Sequence, residues 1–305
     1  MKNLILLLPV FALILLAPGC SSDKGTTYNL YYLGGQSNMD GYGLVKDLPE
    51  ELQGSAGDVY IYHGNPARDD ADIDGTGQWS ILRPGHGAGF SFDSTGNRYS
   101  DRFGLELTFA SEMKVLEPGT KIAIIKYSLG GTSIDAEAAG NFGSWDPGYL
   151  GGEGINQYDH FLATVQNALS IKDIDGDGRS DRLVPSGILW MQGESDGSVS
   201  EEIALRYYDN LKELMELIRD ALGGKEIPVV IGRISDSGND PSGVVWDFGD
   251  IIRSTEERYA GEDTNAGIVT STDNYGYSDP WHYDSEGYID LGRQFALIAD
   301  SLNRK

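Results

Sequence analysis

The strongest constraint in this chain is a set of short apolar runs spread along its length: Tyr28 to Leu33, Lys121 to Tyr127, Gly187 to Met191, Ile227 to Ile231 and Ala266 to Thr270. Each is rich in β-branched or aromatic residues and lacks the polar alternation of a strand with one wet face. Each therefore predicts a central strand covered on both sides. Between them the spacing turns helical. Phe103, Leu107, Ala110 and Met113 share one face, as do Leu211, Leu214, Met215 and Ile218, and Leu291, Phe295, Ile298 and Leu302. Strand alternating with helix predicts an α/β fold, a three-layer α/β/α sandwich whose five-stranded parallel sheet is flavodoxin-like in order, forming one domain over 28–305. The stretches 41–100 and 132–157 are rich in Gly, Asp and Ser and read as loops, which in such folds carry the site at the carboxyl ends of the strands.

A different pattern precedes the first strand. Met1-Lys2-Asn3 leads into an apolar run from Leu4 to Ala17, then Pro18-Gly19-Cys20-Ser21-Ser22. One cation, a short apolar segment and small residues describe an export signal, whereas a membrane span needs about 20 apolar residues. The expectation is a signal segment over 1–19 and a tether over 20–27. Cys20 is the only cysteine, and Leu16-Ala17-Pro18-Gly19-Cys20 resembles a bacterial lipoprotein processing site. That reading makes Cys20 the lipidated first residue of an exported protein anchored in the bacterial cell envelope. It also leaves no pair for a disulfide. The 23 Lys+Arg against 47 Asp+Glu give a net charge of −24, which repels phosphate backbones and anionic lipid surfaces. Nucleic acid is thus not an expected partner, and the membrane is one only through a lipid on Cys20.

Four polar segments follow strand ends. The first strand runs into Gly34-Gly35-Gln36-Ser37-Asn38-Met39, where a serine can be held against backbone N–H groups able to stabilise an oxyanion. An ordinary strand-to-helix turn has the same composition. Near the C-terminus, Asp279-Pro280-Trp281-His282 sets a histidine three residues after an aspartate, so that one ring nitrogen can take a proton while the carboxylate fixes the tautomer through the other. Asp284-Ser285-Glu286 reads equally as the cap of a last helix with His282 a bystander. Surface solvation accounts for His63, His86 and His160. Tyr127-Ser128-Leu129-Gly130-Gly131 and Trp190-Met191-Gln192-Gly193-Glu194-Ser195-Asp196 also put glycine and small donors at strand ends, where free N–H groups can bind a developing negative charge. Convergence of four such segments on one sheet is the signal.

Taken together, Gly35-Gln36-Ser37-Asn38-Met39, Gly130-Gly131, Gln192-Gly193-Glu194-Ser195-Asp196 and Asp279-x-x-His282 resemble the successive blocks of the SGNH-hydrolase superfamily, in the branch of sialate O-acetylesterases and acetylxylan esterases. The resemblance covers roughly residues 28 to 300. It implies a carbohydrate acetylesterase with Ser37 as nucleophile, His282 as general base and Asp279 as its orienting acid, with Glu194 the alternative acid. It implies an oxyanion hole of the Ser37 N–H, a glycine N–H from Gly130 or Gly131, and the Gln192 side chain, where most of the superfamily carries Asn. Gly104-Leu105-Glu106 departs from the Gly-Pro-Glu of many relatives, a change expected to touch the turn and not the chemistry. No catalytic cofactor is expected. The partner expected is an acetylated oligosaccharide or polysaccharide: acetylated xylan, sialic acid or a related glycan. The competing reading is a surface-anchored carbohydrate-binding protein with this fold and no activity. Trp79, Trp145, Tyr149 and Trp281 are candidates to stack on sugar rings or to anchor the long loops.

One acidic loop stands apart. Asp173-Ile-Asp175-Gly-Asp177-Gly178-Arg179-Ser-Asp181 sets carboxylates at alternate positions with a glycine sixth, as calcium loops of the EF-hand type do. A structural Ca2+ would take Asp173, Asp175, Asp177, the Arg179 carbonyl and Asp181. Val184 stands where such loops carry a bidentate glutamate, and a solvated acidic turn has the same composition. Asp70, Asp72 and Asp74 match only the first half of the pattern and read as a solvated turn.

Overall fold

The computed structural model describes residues 25–305 except 152 and 153; the expected signal segment and Cys20 lie outside the described residues. In chain order the strands are β1 (Thr27–Gly35), β2 (Gly43–Leu44), β3 (Val59–His63), β4 (Trp79–Ile81), β5 (Ser91–Phe92), β6 (Asn97–Arg98), β7 (Arg102–Phe103), β8 (Ile122–Ser128), β9 (Arg182–Met191), β10 (Val229–Gly232) and β11 (Ala266–Val269). The α-helices are α1 (Ser37–Asp40), α2 (Glu106–Leu116), α3 (Gln157–Ser170), α4 (Glu201–Ala221), α5 (Gly249–Glu262) and α6 (Ser285–Asn303).

The main sheet has seven strands in the order β11-β10-β9-β1-β8-β3-β4. All neighbours run parallel except β3 and β4. The expected strands are β1, β8, β9, β10 and β11. They lie in the order second, first, third, fourth, fifth, which is the flavodoxin-like arrangement. β1 sits between β8 and β9 and is buried from Leu30 to Gly35, and β8 is buried along its whole length. That is the covered environment the continuous apolar runs require. α2 packs on α6 and α4 on α5.

Two strands extend the sheet beyond the expected five. β3 and β4 lie inside the stretch 41–100 that the sequence presents as loop, because the Val59-Tyr-Ile-Tyr-His63 run is short and set among Gly, Asp and Ser. α5 likewise carries few of the apolar repeats that mark a helix. α3 starts on a capping box of Asn156 and Asp159 and sets Tyr158, Phe161, Leu162, Val165, Ala168 and Leu169 at helical spacing. Phe103 belongs to β7, and α2 starts after it.

His63, His86 and His160 are buried, which corrects the expectation of surface solvation. His63 and His86 face each other with their Nδ1 atoms 3.3 Å apart, stacked against Phe90, and burial followed by the nearby Lys126 charge holds both well below the usual histidine range. His160 takes the Asp74 N–H at 3.3 Å and meets the Arg68 carbonyl at 3.0 Å, so it ties the long loop to α3. Lys126 is also buried and holds the Glu106 carboxylate at 2.9 Å with the Asp40 and His86 carbonyls at 2.9 and 2.8 Å. Glu106 in turn accepts the Gly104 N–H at 3.0 Å. Leu105 has φ −75°, a value proline would also accept. The Gly-Leu-Glu departure therefore leaves this turn intact.

Candidate active site

β1 ends at Gly35, whose φ of +142° and whose approach to the Met191 carbonyl leave no room for a side chain: a Cβ there would lie 2.0 Å from that oxygen. The turn lets the chain leave the sheet between the ends of β8 and β9 and enter α1 with Ser37 at its first position. Met191 receives the Gln36 N–H at 2.9 Å.

The side chains around Ser37 lock this turn to two others. The Gln36 carbonyl oxygen Oε1 faces three donors of the β9 loop: Gln192 Nε2 at 3.2 Å, the Gly193 N–H at 3.3 Å and the Ser195 N–H at 3.4 Å. Asn38 is buried and donates through Nδ2 to Glu194 at 2.7 Å and to the Trp281 carbonyl at 3.1 Å, while its Oδ1 accepts the Tyr288 hydroxyl at 2.7 Å and the Tyr283 N–H at 3.4 Å. One side chain thus fixes the serine turn against the residues on both sides of His282.

His282 is restrained in two directions. In the ring plane its Nδ1 lies 2.7 Å from Asp279 Oδ2. On its face the Tyr42 ring stacks at 3.5 Å between centroids and 3° between planes, and the Arg102 guanidinium lies 4.3 Å from the centre of the other side of Tyr42. Asp279 is itself pinned, since its Oδ1 accepts the Trp281 and His282 N–H groups at 2.8 and 2.9 Å. Burial works to raise the Asp279 pKa, but the bonds to His282 and these N–H groups outweigh it and hold the carboxyl below the usual range. An ionised carboxylate on Nδ1 keeps the proton there and leaves Nε2 as the basic nitrogen.

Gly130 approaches the serine closely: a Cβ on it would lie 3.3 Å from Ser37 Cβ and 3.8 Å from the Tyr42 hydroxyl. Among the described residues, the N–H groups of Ser37, Gly130 and Gly131 have no hydrogen-bond partner. Gln192 is fully buried; its Nε2 reaches Gln36 at 3.2 Å, the Thr132 carbonyl at 3.1 Å and Asp196 at 2.7 Å, and its Oε1 accepts the Tyr207 hydroxyl at 3.0 Å. Two hydrogens therefore already have three acceptors. Glu194 makes its bond to Asn38 rather than to the imidazole, and its second oxygen has no partner among the described residues. Burial pushes this carboxyl above its usual range.

Tyr42 and Asn38 are the participants that motif reading leaves without a role. Of the aromatic candidates, Trp145 is a core residue packed edge-on against Trp190 and Tyr127, Trp79 donates to the Ala168 carbonyl at 3.0 Å, and Trp281 is exposed beside His282. Tyr149 is half-buried.

The acidic loop lies at the opposite end of the sheet, where Tyr28 at the start of β1 donates to Asp175 at 2.9 Å. Asp173, Asp175 and Asp177 offer oxygens within 4.8 Å of one another. Asp181 turns away to accept the Thr26 and Ile174 N–H groups, each at 2.8 Å, and the Arg179 side chain bonds Asp177 at 2.8 Å. Asp70, Asp72 and Asp74 form no such group among the described residues.

This sheet, with its polar turns gathered beyond the carboxyl ends of β1, β8 and β9, is the α/β/α fold of the SGNH-type esterases. The chain belongs to the carbohydrate esterase family described as sialic acid-specific acetylesterase, which it matches over residues 27–300. It is a carbohydrate acetylesterase, a carboxylic ester hydrolase that takes O-acetyl groups off sugars. Its fold is similar to that of a protein from Arabidopsis thaliana at 18% identity and TM-score 0.61, covering 90% of this chain and 98% of the other. It is also similar to a carbohydrate acetylesterase from Xanthomonas citri at 15% identity and TM-score 0.60, over 90% of this chain and 57% of that longer one. NanS resembles it at 15% identity and TM-score 0.55, over 92% and 99% of the two chains. None of the curated proteins matches the chain.

Proposed function

We propose that deacetylation runs by acyl transfer through Ser37. Ser37 Oγ attacks the acetyl carbonyl while His282 Nε2 takes its proton, and Asp279 balances the imidazolium through Nδ1–H. The oxyanion is held by the N–H groups of Ser37 and of Gly130 or Gly131. Gln192 joins them by exchanging its longest bond, the 3.2 Å contact to Gln36, for the developing charge. Collapse of the tetrahedral species expels the sugar oxygen, which receives the proton from His282. Water then loses a proton to His282 and attacks acetyl-Ser37, releasing acetate. The observation that carries this reading is the 2.7 Å Asp279–His282 bond, made by a carboxylate whose other oxygen is already pinned by two backbone N–H groups. A binding protein without activity has no use for a base prepared in this way.

Ser37→Ala should leave the fold and the melting temperature close to wild type and lower acetate release from acetylated glycans by about three orders of magnitude or more, as removal of a nucleophile does. Retention of a tenth of the wild-type rate would remove Ser37 from the mechanism. The same assay run over acetylated xylan and O-acetylated sialic acid identifies the sugar.

Export and lipid anchoring through Cys20 complete the proposal. Mass spectrometry of the mature protein from its own host should find a diacylglycerol-modified N-terminal cysteine, and an unmodified terminus would refute it. For the acidic loop we propose a structural calcium ion on Asp173, Asp175 and Asp177, with the Asp181 carboxylate left to the backbone.

A further inference from the structure

Few aromatic side chains are exposed among the described residues, and two of them flank the proposed reaction centre. Among the described residues the exposed large aromatic ones are Tyr99, Phe142 and Trp281, at 37%, 57% and 51% exposure. Tyr99 is covered by the Arg83 guanidinium, 4.5 Å from its ring centre. The other two are not covered in this way.

Phe142 lies on the oxyanion side. Its ring rests on the main chain of Gly131, where φ is +77° and a Cβ would meet Phe142 Cγ at 2.6 Å; the adjacent Gly130 is the residue packed on Ser37. Trp281 lies on the base side, edge-on to the His282 ring at 6.4 Å. Its backbone is held at both ends, by Asp279 accepting its N–H at 2.8 Å and Asn38 donating to its carbonyl at 3.1 Å. The topology separates the two: the loop carrying Phe142 follows β8, on one side of β1, and the loop carrying Trp281 follows β11, beyond β9 and β10 on the other. Both rings therefore stand at the rim of the serine turn, one on each side, on backbone that binding need not reorganise. Large flat apolar faces left in water beside polar, acetyl-transferring groups suit a ligand that alternates C–H faces with hydroxyls, which is the character of a pyranose.

We propose that Phe142 and Trp281 are sugar-stacking platforms on either side of the acetylated residue, so that the substrate is a neutral oligosaccharide or polysaccharide chain lying across the carboxyl ends of the strands, and not a single terminal acidic sugar. This rests on the acyl-transfer reading above and deepens it. The net charge of −24 favours a neutral chain over a polyanion.

The test compares p-nitrophenyl acetate, O-acetylated xylotetraose, an O-acetylated methyl xyloside and O-acetylated sialic acid as substrates for the wild type, Phe142→Ala, Trp281→Ala and Trp281→Tyr. The wild type should prefer the tetrasaccharide to either monosaccharide in kcat/KM. Each alanine variant should lose about tenfold on the tetrasaccharide, mostly in KM, and less than about threefold on p-nitrophenyl acetate, with Trp281→Tyr recovering most of the loss. Equal losses on both substrates would mean that the rings act by holding His282 or Gly131, and no loss, or a preference for sialic acid, would equally overturn the platforms. Binding of unacetylated xylotetraose to Ser37→Ala, followed by tryptophan fluorescence, should be weakened by Phe142→Ala and Trp281→Ala. Wild type inactive on every ester would sink the acyl-transfer reading, while the binding result would still decide the platforms.

Discussion

Replacing Asp279 by asparagine separates orientation from packing, because the structure dictates which way the new amide must point. Asp279 Oδ1 accepts two backbone N–H groups, from Trp281 and His282, so the asparagine carbonyl has to remain there and its NH2 must take the place of Oδ2, 2.7 Å from His282 Nδ1. A donor then faces a nitrogen that normally donates. The imidazole is forced to carry its proton on Nε2, the atom that should receive the proton of Ser37. An inverted tautomer of this kind costs about 10³ to 10⁴ in kcat, or about 4 to 5.5 kcal/mol of barrier. Stability should change by less than about 1 kcal/mol, since both backbone bonds survive and the carboxylate side chain is 36% exposed. Glu194→Gln is the comparison. Its carbonyl can still accept from Asn38 while its NH2 takes the place of the second, unpartnered oxygen, so the cost falls mainly on stability, about 1 to 3 kcal/mol, with roughly tenfold or less in kcat. The measurement is kcat on p-nitrophenyl acetate for both variants, with melting curves alongside. A larger loss for Glu194→Gln than for Asp279→Asn would move the orienting acid to Glu194 and refute the argument.

Two further outcomes follow from groups away from the reaction. Burial raises Asp40, Asp69 and Asp196 each to about 6, against about 3.9 in an unfolded chain, so the folded protein binds protons more tightly between these values. The stability carried by these carboxyls should therefore fall as pH rises from about 4 to 6, each contributing about 1.3 kcal/mol between pH 7 and pH 5, while the buried neutral His63 and His86 pull the other way as the histidines of the unfolded chain take up protons below about 6.5. Asp69→Asn should remove its share of the pH dependence of the melting temperature, and an unchanged slope relative to wild type would contradict the assignment. If calcium binds Asp173, Asp175 and Asp177, EDTA should lower the melting temperature and excess calcium restore it by up to about 2.7 kcal/mol at a hundredfold excess over Kd, with Asp175→Ala abolishing the response; no shift in the wild type would leave the loop as a solvated turn.

What the sequence makes legible is set by how local each signal is. The strands β1, β8, β9, β10 and β11 are covered on both faces and therefore read as apolar runs, and the serine and Asp279–His282 segments stand at strand or helix boundaries where their neighbours mark them. β3 fails to register because Val59 to His63 is only as long as a turn-rich context can hide, and α5 because Gly249, Thr255 and Glu256 on its buried face are not apolar. The buried histidines illustrate the same limit: nothing in the residues beside His63 and His86 reports that a loop of 23 positions folds back to bring their rings together. Tyr42 is invisible for a similar reason, since its partner lies at His282 and no spacing rule connects them. The direction in which Gln192 points was likewise outside the reach of a motif, which records a residue type and not whether its hydrogens are already engaged.

Gln36, Asn38, Gln192 and Asp196 bear on how decay would look in this family. They brace three turns against one another, and Asp196 alone receives the Ile134 and Asp135 N–H groups at 3.0 and 2.8 Å and Gln192 at 2.7 Å. A descendant that abandoned catalysis would remain under pressure to keep these residues, because losing them strands buried donors and acceptors. Ser37, which makes no side-chain hydrogen bond among the described residues, and the half-buried Asp279, whose backbone donors lie where water can replace it, would be free to drift first. Silent copies of this enzyme should thus be recognised by two missing side chains inside an otherwise complete signature.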